Sequence, residues 1–145
     1  MKKIMIKKPG MPPEIVETEV KYRYSLKEYI SNDRGVLLEH VPMAIGNGIC
    51  AIVDEEGIPK QLDKNVYVTT SSTIHPVQLL FGTAIFCRLS LVDNDNYDYQ
   101  VEGLTDDELL VIKFLLSNEQ TIMENEFNKL YSSFDEYKSQ KIISF

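Results

Sequence analysis

Two histidines, two cysteines and a few clustered carboxylates are the groups in this sequence reactive enough to do chemistry. His40 follows Glu39, and His75 precedes Pro76 close to Ser71-Ser-Thr73, so a serine or cysteine nucleophile with an imidazole base could be assembled from them. No local spacing supports such a triad. Cys50 and Cys87 lie in apolar, strand-like runs where a thiol stays protonated and inert, which points to buried free thiols in a reducing cytoplasm. Glu55 and Glu56 at a strand end could hold a metal or act as acid and base. Neighbours in a strand face opposite ways, however, so a solvated turn is the simpler reading. Asp93-Asn-Asp-Asn-Tyr-Asp98 has some features of a calcium loop, but Asp98 and Leu104 stand where glycine and glutamate are needed. The chain has no Walker A, Gly-x-Gly-x-x-Gly, Gly-x-Ser-x-Gly or His-Glu-x-x-His motif, and its cysteines are too far apart for a zinc knuckle. No cofactor or metal is expected, and the residues favour a protein that is not an enzyme.

Charge is more informative. The chain carries 15 basic and 22 acidic residues, a formal net charge of −7. Asp93, Asp95, Asp98, Glu102, Asp106, Asp107 and Glu108 lie within one stretch without a lysine or arginine, and they equal the whole excess. Phosphate backbones repel such a surface, so direct nucleic-acid binding is not expected. Tyr97 and Tyr99 set amphipathic rings among these carboxylates, a composition typical of protein interfaces. Asp93, Asp95, Tyr97, Asp98 and Tyr99 are therefore the candidate contact surface for a protein partner with a basic surface. A solvated loop leading into an acidic first helical turn accounts for the same charges without a partner.

The elements that must position these groups follow from pattern. At 145 residues, with 43% hydrophobic and 26% charged residues, the chain fits one soluble domain. No apolar run approaches the roughly 20 residues of a membrane span, and the start, Met1 to Lys8, has no apolar core of a signal peptide. Strands are expected at 3–6, 14–20, 35–41 and 48–53, the first two able to pair as a hairpin. Residues 66–70 suit either a strand or a short helix. The most hydrophobic run, 79–92, reads as one central strand with a bulge or close backbone approach at Gly82. Ser25-Leu-Lys-Glu28 and Thr105-Asp-Asp-Glu108 fit capping boxes, opening helices through about Ile30 and over 109–116, and Ser117-Asn-Glu-Gln120 is a third such pattern. Met123, Phe127, Leu130, Phe134 and Tyr137 then recur at helical spacing as one apolar stripe. The fold class expected is α+β: a single small domain with a mostly antiparallel or mixed sheet, a short helix in the N-terminal half and two C-terminal helices packed on it.

Several blocks in order resemble a family of small phage, plasmid and mobile-element proteins, a domain of unknown function. Its opening Pro-Gly-x-x-Pro is matched by Pro9-Gly-Met-Pro-Pro13, its short helix by Ser25 to Ile30, and its Gly-x-x-Glu strand by Gly35 to Glu39. Its centre, Asn-Glu-Glu-Gly, seven residues and Asn-Arg, is matched by Asp54, Glu55, Glu56 and Gly57, then seven residues and Asn65. Gly82-Thr83 and Leu104-Thr-Asp-Asp107 match its closing strand and helix. Asp54, Ile58 and Val66 stand where the family has Asn, Lys and Arg, so any function of the Asn-Arg pair is lost or altered in this chain. The resemblance covers about residues 3 to 116. It divides the chain into a module, 1–116, and a helical extension, 117–145. The Met123–Tyr137 stripe could complete the monomer's own core or form a two-fold interface; a module complete before the extension favours the second, so a homodimer is the expectation.

What the resemblance implies is an accessory protein in the cytoplasm of a bacterial host. Together with the acidic tyrosine loop, it gives the expected function: a non-enzymatic protein that binds and modulates a host or rival protein, such as a component of an antiviral defence. The alternative is a protein that binds or sequesters a nucleotide, using Gly46-Asn-Gly48, Gly57 and Ser71-Ser-Thr73 for phosphate, with Arg23, Arg34 and Arg88 as clamps.

Overall fold

The computed structural model describes residues 1–32, 35–91 and 99–143. Among them, eight strands and four α-helices form an α+β domain whose strand pairs are all antiparallel. β1 (Lys2–Lys7) and β2 (Glu14–Thr18) make the first hairpin. A 3-10 turn, Arg23–Leu26, runs into α1 (Lys27–Ile30). β3 (Leu38–Pro42) and β4 (Ile49–Asp54) follow. β5 (Lys64–Thr69) and β6 (Val77–Phe81) form a separate two-stranded ribbon. β7 (Ala84–Leu91) and β8 (Tyr99–Glu102) complete the main sheet. The chain closes with α2 (Asp106–Asn118), α3 (Gln120–Leu130) and α4 (Phe134–Ile143).

The main sheet runs β2-β1-β7-β4-β3, and β8 pairs with β7 beyond the point where β1 leaves it. Alternation along β4 and β7 assigns the two faces. Ile49, Ala51, Val53, Ala84 and Phe86 enter one core, with Val66, Val68 and Leu80 of the ribbon and Leu109, Ile112 and Leu116 of α2. Cys50, Ile52, Ile85, Cys87 and Leu89 enter the other, closed by Leu26 of the 3-10 turn with Tyr29 and Ile30 of α1. A third core lies on the far side of the ribbon, where Val77, Leu79 and Phe81 meet Met123, Phe127, Tyr131 and Tyr137. The ribbon is thus covered on both faces, which is why successive residues Leu79, Leu80 and Phe81 of β6 are all apolar.

Two expectations are corrected here. The run 79–92 is not one strand: it breaks at Gly82, where the backbone turns at φ +74° and β6 leaves the main sheet. A Cβ on Gly82 would sit 2.8 Å from Leu62 Cδ1. Asn65 fixes the break, donating to the carbonyls of Lys7 and Gly82 at 2.7 Å each. The apolar stripe is not left for a second copy. Met123, Phe127 and Tyr137 are buried against this chain's own ribbon, Phe134 packs beside them, and Leu130 alone of the five is exposed.

Candidate functional site

Both histidines line one cleft of about 260 Å³, between the β3 edge and the loop joining β5 to β6. β3 presents Glu39 and His40 on opposite faces. Glu39 Oε1 accepts a hydrogen bond from Gln78 at 3.0 Å. Arg23 Nη1 lies 3.2 Å from His40 Nδ1. A guanidinium can only donate, so Nδ1 accepts and the ring's own proton sits on Nε2. The 70–75 loop is tied by its own hydroxyls: Ser72 N donates to Thr70 Oγ1, and Ile74 N and His75 N donate to Ser72 Oγ. His75 Nδ1 lies 2.8 Å from the Tyr131 hydroxyl. The Ser72 hydroxyl thus receives the backbone of His75, while the His75 ring is oriented by Tyr131, between α3 and α4. This is positioning of a loop and its imidazole, not the serine–histidine contact that activates a nucleophile.

The thiols are directly opposite one another, Cys50 paired with Cys87 across β4 and β7, and both are buried. Burial pushes Cys50 up to about 11 and Cys87 up to about 12, the neighbouring Cys50 adding to the second. Both stay protonated at neutral pH.

Of the residues Glu39, Asp54, Glu55, Glu56, Gly57 and Asn65, four hold the fold together. Asp54 is buried at the end of β4, where Oδ1 accepts from Glu56 N at 2.8 Å and Oδ2 meets Lys60 Nζ at 2.9 Å. Gly57 is packed so closely against β6 that a Cβ at this position would lie 3.0 Å from Phe81 Cβ. Asn65 is the clamp between β1 and the Gly82 break, and Glu39 joins β3 to β6 through Gln78. Glu55 and Glu56 are exposed at the turn. Among the described residues, no group of three or more His, Cys, Asp or Glu side chains is placed to hold a metal ion.

The loops offered for phosphate spend their N–H groups internally. Gly46 N donates to Met43 O, Gly57 N to Asp54 O and Ser71 N to Pro42 O. Arg88 donates to the carbonyls of Asn47 and Gly103 and pairs with Glu108, while Arg23 lies against Leu38 O and His40. Arg34 lies outside the described residues.

Asp93, Asp95, Tyr97 and Asp98 also lie outside the described residues; they belong to the segment joining β7 to β8, whose ladder ends at Leu91 paired with Tyr99. Tyr99 itself is half-buried. Its ring is 4.7 Å from that of His40, with the Arg23 guanidinium 5.7 Å from its centroid, so it packs inward.

A different surface carries exposed apolar groups. α2 begins with the capping box expected at Thr105: its hydroxyl accepts from Glu108 N and the Glu108 carboxylate from Thr105 N. Leu109, Ile112 and Leu116 point inward, yet Leu110, Val111 and Phe114 on the outer side are 66%, 47% and 54% exposed. Asp106 and Asp107 flank them, also exposed. The signal was present in the sequence, because Leu109 to Leu116 is apolar at every position except Lys113, and a one-faced helix cannot bury such a run. Comparison with protein-family models, curated proteins and solved structures finds no match.

Proposed function

We propose that this protein is a non-enzymatic accessory protein that docks on a second protein and modulates it, the outer face of α2 being the contact. The observation that carries the reading is a helix apolar on both sides whose outer Leu110, Val111 and Phe114 have no cover. Asp106 and Asp107 at its first turn, and the acidic stretch before it, favour a partner whose apolar groove has a basic rim. The protonated thiols and the internally bonded hydroxyls of the 70–75 loop support a role without catalysis. The resemblance to mobile-element proteins fits a target in a bacterial host or rival, an antiviral defence component among the candidates.

The test is affinity capture from bacterial lysate at low salt, comparing the wild type with a Leu110→Ser, Phe114→Ser double variant. One dominant protein is expected on the wild type, released as salt rises and at least about tenfold depleted on the variant, since two buried apolar anchors of an interface each contribute on the order of 1–2 kcal/mol. Both substitutions fall on exposed positions, so the melting temperature is expected to stay within a degree or two of the wild type. Equal capture by both proteins overturns the assignment to α2.

Glu39, Gln78 and His75 line one cleft, with His40 at its rim on the other side of the β3 edge, which favours a second reading, a small polar ligand bound there. Because the nearby N–H groups are used internally, a nucleotide phosphate is a poor fit, and a ligand with hydrogen-bond donors is preferred. A thermal-shift panel of nucleotides, amines and amino acids checks this: saturation at a hundredfold over Kd adds about 2.7 kcal/mol, and no shift by any of them removes it.

A further inference from the structure

Strand β2 is the outer strand of the main sheet and, among the described residues, pairs with β1 alone. The register settles where its backbone points. Lys3 O accepts from Leu104 N at 2.9 Å, so the backbone of Lys3 faces away from β2. In an antiparallel pair the hydrogen-bonding residues alternate. β2 is therefore held through the pairs Lys2–Thr18, Ile4–Val16 and Ile6–Glu14, and the N–H and C=O groups of Ile15 and Glu17 face outward. Among the described residues these groups have no hydrogen-bonding partner. The edge is open in side chains too, with Glu14 and Glu17 exposed and Ile15 50% exposed.

At its C-terminal end the edge meets a shallow depression of about 600 Å³, lined in part by Glu17, Glu19, Glu28, Tyr22 and Tyr29. Tyr29 is held by a 2.9 Å bond between its hydroxyl and Thr18 Oγ1. Three carboxylates there outnumber the side-chain cations at the depression, Lys21, whose ammonium lies 5.4 Å from the Tyr22 ring centroid, and Lys2, which donates to Val20 O at 2.9 Å. Carboxylates beside phenol rings suit a lysine or arginine side chain.

We propose that β2 is a docking edge for an extended basic segment of another protein, which adds to the sheet as a further strand on Ile15 and Glu17 and lays a lysine or arginine in the depression. Charge selects this occupant over a second copy of the chain. Pairing two β2 strands would bring both sets of Glu14, Glu17 and Glu19 along one seam, where like charges repel. The same carboxylates attract a basic strand, so the edge, acidic on both faces of the strand, rejects self-association and admits a partner. The inference rests on the reading that the protein works by binding another protein, but it uses a surface separate from the exposed face of α2.

The probe is a synthetic peptide of alternating lysine and threonine, with two analogues N-methylated on its odd or its even residues, and a glutamate–threonine peptide of equal length. Strand addition needs the peptide's own N–H groups on one side only. One N-methylated analogue is therefore expected to bind about tenfold more weakly than the parent and the other to bind like it. The amides of Ile15 and Glu17 should shift in NMR spectra and gain exchange protection, and the acidic peptide should not bind. Ile15→Pro removes an outward N–H that β1 does not use, so that variant is expected to keep its fold and lose about tenfold in affinity. Equal binding by the parent and both analogues, or no shift at Ile15 and Glu17, overturns the proposal, as does a dimer of the free protein that Ile15→Pro dissolves. The Leu110→Ser, Phe114→Ser variant should bind the peptide as the wild type does; lost binding there would place the peptide on α2 and also overturn it.

Discussion

Glu108 sits in the first turn of α2, and its carboxylate joins three separated parts of the chain. It accepts from Thr105 N at 2.8 Å, from Asn47 Nδ2 at 3.1 Å and from the Arg88 guanidinium, which also holds the carbonyls of Asn47 and Gly103. The Thr105 N–H first, then Arg88 and Asn47, hold this carboxyl down to about 2, against an ordinary value near 4.5. A group held low in the folded state stabilises fully above its unfolded pKa and loses that contribution as it protonates in the fold. The shift corresponds to about 3 kcal/mol, and with solvent screening at this helix end Glu108 should stabilise the protein by about 2 kcal/mol at pH 7, fading as pH falls from about 4.5 towards 2. Denaturant melts of Glu108→Gln against the wild type should differ at pH 7 and converge at the acid end; an equal difference at both would refute the linkage. Gly82→Ala is expected to cost about 1–2 kcal/mol from its positive φ alone, with more if Leu62 fails to move. Asn65→Ala removes two donated bonds and should cost about 2 kcal/mol in the same melts. At this scale the sequence was partly legible: Gly82 stood out as a bulge or close approach within an apolar run, though not as the end of a strand, and Asn65 through a motif spacing. That the two bond to each other was not, since side-chain bonds between distant strands leave no periodic trace.

Among the elements, those with local signals were the most legible. The β1–β2 hairpin, β3, β4 and the Thr105 capping box follow from alternation and cap chemistry. Ser25-x-x-Glu28 misled: the chain enters a 3-10 turn at Arg23, and neither that turn nor α1 has a side-chain cap bond. Ser117-x-x-Gln120 marked the start of a helix, since α3 begins at Gln120, but not through a serine cap. Ser117 lies inside α2, and Gln120 turns its amide on β5. Its Oε1 accepts from Tyr67 N at 2.8 Å, and its Nε2 donates to Tyr67 O at 3.1 Å and Leu115 O at 3.2 Å. The side chain substitutes for a neighbouring strand where the β5 register shifts between Lys64 and Tyr67. Gln120→Leu should leave both Tyr67 groups unmet and destabilise by about 2 kcal/mol, with faster hydrogen exchange at the Tyr67 amide as the specific readout. Unchanged exchange there would show that α3 is held by Met123 and Phe127 alone.

For the whole molecule, the boundary drawn at 116/117 falls within α2, and the extension beyond it is fastened by a core of its own. Truncation after residue 117 would uncover Val77, Leu79 and Phe81 and remove Tyr137, whose hydroxyl donates to Leu79 O at 3.3 Å. The truncated chain is expected to lose its cooperative melt and to aggregate, in contrast to an intact module; a sharp transition near that of the full chain would show that the third core is dispensable. The α+β class was legible because strands precede helices, whereas the layering was not, because a ribbon covered on both faces has the same apolar composition as a central strand. The placement of the ribbon also bears on synthesis. β1 leaves the ribosome before β7, so Met5 must wait for Phe86 before the sheet can close, and the outer face of the ribbon waits longer still, until Tyr137 has emerged. Through that interval Val77, Leu79 and Phe81 face solvent on a nascent chain, which is when this protein is most in need of a chaperone.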